Sequence, residues 1–323
     1  MNSAIVTPSA ARDTSGNSIT AVRWAEILAG LGHRTVLIGE WTGEEADLLV
    51  ALHARRSNRS IDRFQQAHPD RPIIVALTGT DLYGDLPDDT AARHSLQLAS
   101  RIVVLQDEAG ARLDNEARAK LHVIYQSARS PVRSPQPRSD IFEVCVLSHL
   151  RDVKDPLRAA FAARDLPPQS TIQIVHAGKA LESVWAERAR AEEENNPRYR
   201  WLGDLDHADA LDLLSSSRLL VVSSEVEGGA NVIAEAIVCG VPVICSRISG
   251  NVGMLGRVYR GYYKLRDTED LRALLIRAEA DPDYLQSLQD SVNGLKDRFS
   301  PEHERESWRK LLEDMNLSHM NKP

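Results

Sequence analysis

The sequence predicts an α/β protein built from two doubly wound, Rossmann-like parallel-sheet domains. Three observations predict it. Short apolar runs alternate with amphipathic helical stretches, the alternation stops at a proline-rich segment, and it restarts beyond that segment with the same rhythm. Apolar runs of four to six residues are the mark of parallel strands buried on both faces, and helical crossovers between them imply βαβ units.

In chain order, strands are expected at residues 4–7, 35–38, 48–52, 73–78, 102–105 and 123–125, with helices at 21–31 and 91–99 among the crossovers. Residues 1–126 make the first domain on this reading. Residues 127–140, SARSPVRSPQPRSD, hold three prolines and almost nothing to bury, which is linker composition. Strands then follow at 143–147, 171–176, 199–202, 219–223 and 242–245, so that 141–300 makes the second domain. Ser300 and Pro301 start a charged amphipathic helix over 301–317, and 301–323 forms a C-terminal helix and tail.

Composition excludes several classes. The 323 residues carry 39 Lys and Arg against 46 Asp and Glu, a net charge of −7, which argues against a nucleic-acid partner. No apolar run is long enough to span a membrane. The opening MNSAIVTPSA lacks the basic start and apolar core of a secretion signal, and three cysteines without zinc-site spacing fit a reducing interior, so a cytoplasmic location is expected.

The stretch EVEGGANVIAEA, residues 225–236, sets Glu227 and Glu235 with seven residues between them around Gly228 and Gly229. It lies between a buried strand and a helix, at the carboxyl end of a strand where open α/β sheets bind ligands. A carboxylate is an acceptor that can grip two hydroxyls at once, and a helix start offers free N–H groups to an anion.

Two such domains carrying this element resemble the GT-B glycosyltransferases, specifically the retaining group with a glutamate pair at this spacing. By that resemblance Glu235 holds the ribose of a UDP-sugar and Glu227 sits beside the sugar. The backbone of Gly228, Gly229, Ala230 and Asn231, with Gly203 of YRWLG, approaches sugar and phosphate oxygens. Relatives place an arginine and a lysine after the first strand of this domain. In LSHLRDVKDP the lysine is Lys154, the arginine position is His149, and Arg151 lies two residues on. These groups would stabilise the departing diphosphate without a metal, and no cofactor is expected. Asp204 and Asp206 spell a metal-binding Asp-x-Asp, but their place after a short strand makes a turn or helix start the better reading.

The first domain would carry the acceptor. Gly16 and Asn17 are expected in a loop leading to a helix that begins near Thr20. His53, Arg55 and Arg56 follow a buried strand, and Thr78 and Thr80 follow another. That set suits a small, highly charged oxyanion, although two arginines also begin a solvated helix. His53 and Asp81 are candidates for proton handling.

GNSITAVRW, ALHARRS, HPDRPIIVALTGTDLYGD, VIYQSA, SHLRDVKDP, YRWLG, VEGGANVIAEA and SRISGNVGMLG occur in order along nearly the whole chain. Together they resemble the selenosugar synthases of the selenoneine pathway. The resemblance implies transfer of the sugar of UDP-N-acetylglucosamine or UDP-glucose to selenophosphate, forming a C–Se bond and releasing UDP and phosphate, with other enzymes of that pathway as conceivable partners. A conventional transferase acting on a hydroxyl acceptor and a non-catalytic nucleotide-sugar-binding protein are the alternative readings.

Overall fold

The computed structural model describes residues 1–8, 16–86, 88–131, 133 and 135–320, the side chains of 316–320 excepted. Two compact units divide the chain. The first holds Met1–Gln126, Glu227–Gly229 and Pro301–Pro323, and the second holds Ser127–Val226 and Ala230–Ser300.

The first unit contains strands β1 (Asn2–Val6), β2 (Arg34–Ile38), β3 (Leu48–Leu52), β4 (Ile73–Leu77), β5 (Arg101–Val104) and β6 (Leu121–Val123). All pair in parallel, in the order β2-β1-β3-β4-β5-β6. β3 and β4 are buried at every position, and alternate residues face opposite cores. Leu49, Val75 and Ile102 pack with Ile61, Phe64 and Leu96 on one face. Leu48, Ile74 and Val103 pack with Trp24, Leu28 and Trp308 on the other.

That second face is closed by the C-terminal helix Pro301–Met320, whose Glu304 is fully buried. Trp24 Nε1 donates to Glu304 Oε1 at 2.8 Å, Arg23 Nε lies 3.1 Å from Oε2, and Trp308 meets Trp24 edge-on at 4.9 Å. A buried carboxylate is tolerated because both oxygens have partners.

The second unit contains β7 (Phe142–Leu147), β8 (Ile172–Ala177), β9 (Tyr199–Trp201), β10 (Leu219–Val222), β11 (Val243–Ser246) and β12 (Tyr262–Tyr263), again all parallel, in the order β12-β11-β10-β7-β8-β9. From β7 the chain winds outward through β8 and β9, then returns to the other side of β7 as β10. The pair β7–β10 is therefore the topological switch point, where crossovers leave on opposite faces and the strand ends stay open. In the first unit the switch lies between β1 and β3.

Each unit is a Rossmann-like α/β sheet, the two-domain GT-B architecture the sequence predicts. Two local expectations change, and one strand is added. The final strand of the first unit ends at Val123, two residues before 125, since the chain pairs with β5 only through Val104↔Val123. The first helix is Gly16–Gly30, so Gly16 and Asn17 form its opening turn and Thr20 lies inside it. β12 is two residues long, too short for any apolar run to announce it.

Candidate functional site

In the second unit the loops after β7 and β10 leave the switch point together and are laced by hydrogen bonds. Ser223 Oγ donates to the carbonyls of Lys154 and Asp155 at 2.9 and 2.8 Å, and Glu225 N donates to Val153 O at 2.9 Å. Asp155 ends the short 3-10 turn Asp152–Lys154 in the left-handed conformation, φ 44°, and its carboxylate takes the Arg158 guanidinium through two nitrogens. Lys154 is thus fixed by backbone contacts on both sides. Glu225 is gripped in turn by Arg266, with Nε and Nη2 at 2.5 and 2.6 Å from its two oxygens. That guanidinium holds the Glu225 carboxyl below its ordinary range.

His149 and Arg151 share the β7 loop with Lys154. Lys179 N donates to His149 Nδ1 at 3.2 Å, leaving Nε2 as the outward nitrogen. Burial pushes the imidazole pKa down. Arg151, Lys154 and Lys179 push the same way and Asp204 opposes them, so the ring is neutral within a cationic cluster. Below it, Gly178 (φ 154°) admits no side chain, since a methyl there would sit 1.9 Å from Ser148 O. Gly178 N donates to Gly203 O at 2.7 Å, and Gly203 is itself left-handed at φ 76°. His176 beneath is fully buried between Tyr199 OH and Ser148 O and is pushed down to about 4 by desolvation.

The helix Asn231–Cys239 begins at Ala230 without a side-chain cap among the described residues. Ala230 N donates to Met254 Sδ at 3.2 Å and Ile233 N to Ala230 O at 2.9 Å, which leaves the N–H groups of Asn231 and Val232 as those a helix start offers to an anion. Asn231 Oδ1 is buried with no hydrogen-bond partner among the described residues, an acceptor in want of a donor. Glu235 lies one turn further on and pairs with His207 Nε2 at 2.9 Å. His207 opens the helix His207–Ser216 behind its cap Asp206, whose carboxylate accepts from Asp209 N at 2.9 Å. The Asp-x-Asp is thus a helix start, as its position predicts. Glu227, Gly228 and Gly229 group with the first unit. There a methyl on Gly228 would meet Thr78 O at 2.3 Å, and one on Gly229 would meet Leu105 Cβ at 2.6 Å. Close backbone approach, as much as open ground for a ligand, therefore requires these glycines.

In the first unit the loops after β3 and β4 converge. Asp81 is fully buried and accepts from four backbone N–H groups: Thr78 at 3.0 Å, Gly79 at 2.9 Å and Leu82 at 3.1 Å on Oδ1, and Ala54 at 3.0 Å on Oδ2. These four bonds make it a positioning residue that ties the loops after β3 and β4 together. His53 sits at φ 73°, rare for a residue with a side chain, and is 1% exposed. Arg56 N donates to its Nδ1 at 3.4 Å and its Nε2 faces Thr80 Oγ1 at 3.2 Å. Burial lowers its pKa, with Asp81 the largest opposing influence. Arg55 and Arg56 are exposed in the turn after β3, ahead of the helix Asn58–Ala67, so they do not begin a helix. Thr20 is occupied internally. Its hydroxyl donates to Gly16 O at 2.8 Å and accepts from Gln126 Nε2, which leaves it one acceptor lone pair and no donor for a ligand.

Sequence reasoning missed His207, Arg266, Lys179 and Asp85. Asp85 lies in TGTDLYGD but nothing in that stretch tells its part from that of Asp81, and only the fold gives the other three their partners.

Residues 132–292 match the model of the family described as Glycosyl transferases group 1. Among solved structures, the chain resembles HepE of Anabaena, determined with UDP and glucose, at 15% identity and TM-score 0.77, covering 97% of this chain and 100% of that one. It resembles a glycosyltransferase from Rickettsia africae at 14% identity and TM-score 0.80, covering 100% and 99%. It also resembles the sucrose-phosphate synthase of Thermosynechococcus elongatus at 17% and 0.74, covering 98% and 99%. The fold is that of the GT-B glycosyltransferases. Apart from Glu227–Gly229, the matched stretch lies in the second unit and its linker.

No helix among the described residues is long and apolar enough to cross a membrane.

Proposed function

We propose that this protein is a selenosugar synthase. UDP-sugar, either UDP-N-acetylglucosamine or UDP-glucose, binds the second unit, and the selenium of selenophosphate attacks its anomeric carbon. The C1–O bond to UDP breaks as the C1–Se bond forms. Glu235 takes the ribose hydroxyls, Glu227 lies by the sugar, and Lys154, with His149 and Arg151, stabilises the departing diphosphate in place of a metal. Selenium in selenophosphate is already a soft, charged nucleophile, so the protein has to orient it and stabilise the leaving group.

The observation that carries the nucleotide-sugar half is the lacing of Lys154 to the 223–225 loop at the switch point of the unit where the group 1 glycosyltransferase match lies. HepE, solved with UDP and glucose, supports the choice of nucleotide. The selenium half is supported by the ordered motifs along the chain and by the Arg55–His53–Thr80 group of the first unit.

A hydroxyl acceptor is the second reading, and one observation favours it. Asp85 lies among the cations expected to receive an anion, 3.2 Å from Arg55 Nε. Mass analysis of products from purified protein, a panel of UDP-sugars and either selenophosphate or hydroxyl acceptors decides between them. UDP release that depends on selenophosphate, with a selenium-bearing sugar product, is expected. UDP release only with hydroxyl acceptors would overturn the selenium reading, and no release with any acceptor would leave a binding protein.

A further inference from the structure

We propose that Asp85 is the resident counter-ion of an oxyanion site on the first unit, occupying Arg55 until a phosphate-class substrate displaces it. This rests on the reading that the acceptor of the transfer binds this unit. Asp85 Oδ2 lies 3.2 Å from Arg55 Nε and 3.8 Å from His53 Nε2, and that same His53 nitrogen lies 3.2 Å from Thr80 Oγ1. One carboxylate oxygen thus meets the Arg55 guanidinium, with the hydrogen-bonded His53–Thr80 pair beside it.

Two separate backbone irregularities make this convergence. His53 adopts φ 73° at the end of β3, and Asp85 closes a π-helical turn, Asp81–Asp85, that follows β4. Strained or π-helical residues gather where function holds them, since folding alone favours their relaxation. The buried Asp81 fastens the two loops to each other through Ala54 N and Gly79 N, so the convergence is built into the fold.

Exposure decides how the pair behaves. The Arg55 side chain is 46% exposed and that of Asp85 19%. A pair this open to water is weakly held and cheap to exchange. A phosphate dianion offers the guanidinium two oxygens and more charge than a carboxylate, so it displaces Asp85. His53 is 1% exposed and reaches the anion through the exposed Thr80 hydroxyl. A neutral sugar hydroxyl has no such advantage over the carboxylate. Asp85 is accordingly a specificity residue that holds the site for highly charged anions.

The test is titration calorimetry of the full chain with inorganic phosphate and with thiophosphate, with UDP titrated separately in each variant. Removing the resident charge in Asp85→Asn is expected to tighten phosphate binding by about five- to tenfold, the effect of one charge a few ångströms away in a partly wetted site. Arg55→Ala is expected to abolish phosphate binding in either background. Asp85→Ser serves if the amide variant fails to fold. Phosphate affinity that is unchanged or weaker without Asp85 overturns the proposal, as does phosphate binding in neither parent nor variant. Loss of turnover with hydroxyl acceptors in Asp85→Asn would instead make Asp85 a base. UDP affinity separates the two readings: a parent that binds phosphate but not UDP keeps the anion site and loses the transferase assignment.

Discussion

Glu235 Oε1 and His207 Nε2 lie 2.9 Å apart, joining the helices that follow β10 and β9, two strands that β7 and β8 separate in the sheet of the second unit. The hydrogen bond that His207 donates to the Glu235 carboxylate raises its pKa above the ordinary value. A group raised on pairing gives its stabilisation below its unpaired pKa and loses it as pH rises through the paired one. If ribose hydroxyls use the same carboxylate, they compete with protonated His207.

Uridine affinity should therefore rise several-fold as pH increases above about 6.5, the ordinary histidine value. Uridine is the ligand to use because it carries no phosphate of its own to titrate. His207→Ala should flatten the dependence and hold affinity near the high-pH level. Glu235→Gln should weaken uridine and UDP together, by about 10- to 150-fold for loss of a charge-assisted hydrogen bond. A His207→Ala protein with an unaltered pH profile would separate the histidine from the nucleotide site.

The grip of Arg266 on Glu225 calls for a different measurement. Arg266 is 65% exposed on its side chain, so the pair contributes little to folding. Its backbone is left-handed at φ 64°, and Glu225 N is tied to Val153 O beside Lys154. Arg266→Ala should leave the melting midpoint nearly unmoved and lower kcat on the order of tenfold, since small displacements of a charge-stabilising group are costly. KM for the UDP-sugar should change less. Arg266→Lys should recover part of the rate. A kcat equal to the parent's in Arg266→Ala would show that the loop needs no such tether.

Much of this architecture is legible in the sequence because its strands are buried on both faces. Leu48–Leu52 and Ile73–Leu77 are unbroken apolar runs, and the structure places them at the residues the sequence predicts, to within one. Glu235 and His53 are legible as candidates because they follow such runs, whereas Lys154 is legible only through the resemblance to the GT-B glycosyltransferases. What is not legible is which loop residue meets which. Asp81 and Asp85 are both acids of TGTDLYGD, yet one is held by backbone N–H groups and the other faces Arg55. A π-helical turn decides that, and no periodicity encodes it. The helix over 301–317 reads correctly as amphipathic, but its pattern does not say which sheet receives it.

That helix yields a stability prediction. Glu304→Ala strands the Trp24 indole N–H and the Arg23 guanidinium in a buried face, a loss of about 2–4 kcal/mol. Glu304→Gln keeps an acceptor for Trp24 at 2.8 Å and should cost distinctly less. Urea unfolding followed by tryptophan fluorescence reads both, because Trp24 and Trp308 are in edge contact in that core. Equal midpoints for parent and Glu304→Ala would mean the helix is held by its apolar face alone.

Lys154→Ala tests the leaving-group assignment. The Lys154 contacts to Ser223 are made by its carbonyl, so truncating the side chain leaves the loop laced as before. Charge on the diphosphate grows as the anomeric bond breaks, so the ammonium matters more to the transition state than to the bound sugar nucleotide. Turnover should fall by roughly 10²–10³ while UDP-sugar affinity changes modestly. Lys154→Arg keeps the charge but spreads it over a planar fork, and should fall between. Ser223→Ala supplies the complementary case, loosening the loop while leaving the ammonium intact. On the proposed scheme, in which the cationic cluster serves in place of a divalent ion, the parent should keep full activity in EDTA. Activity that is lost in EDTA and restored by magnesium, with Lys154→Ala near normal, would move the diphosphate charge from Lys154 to a metal.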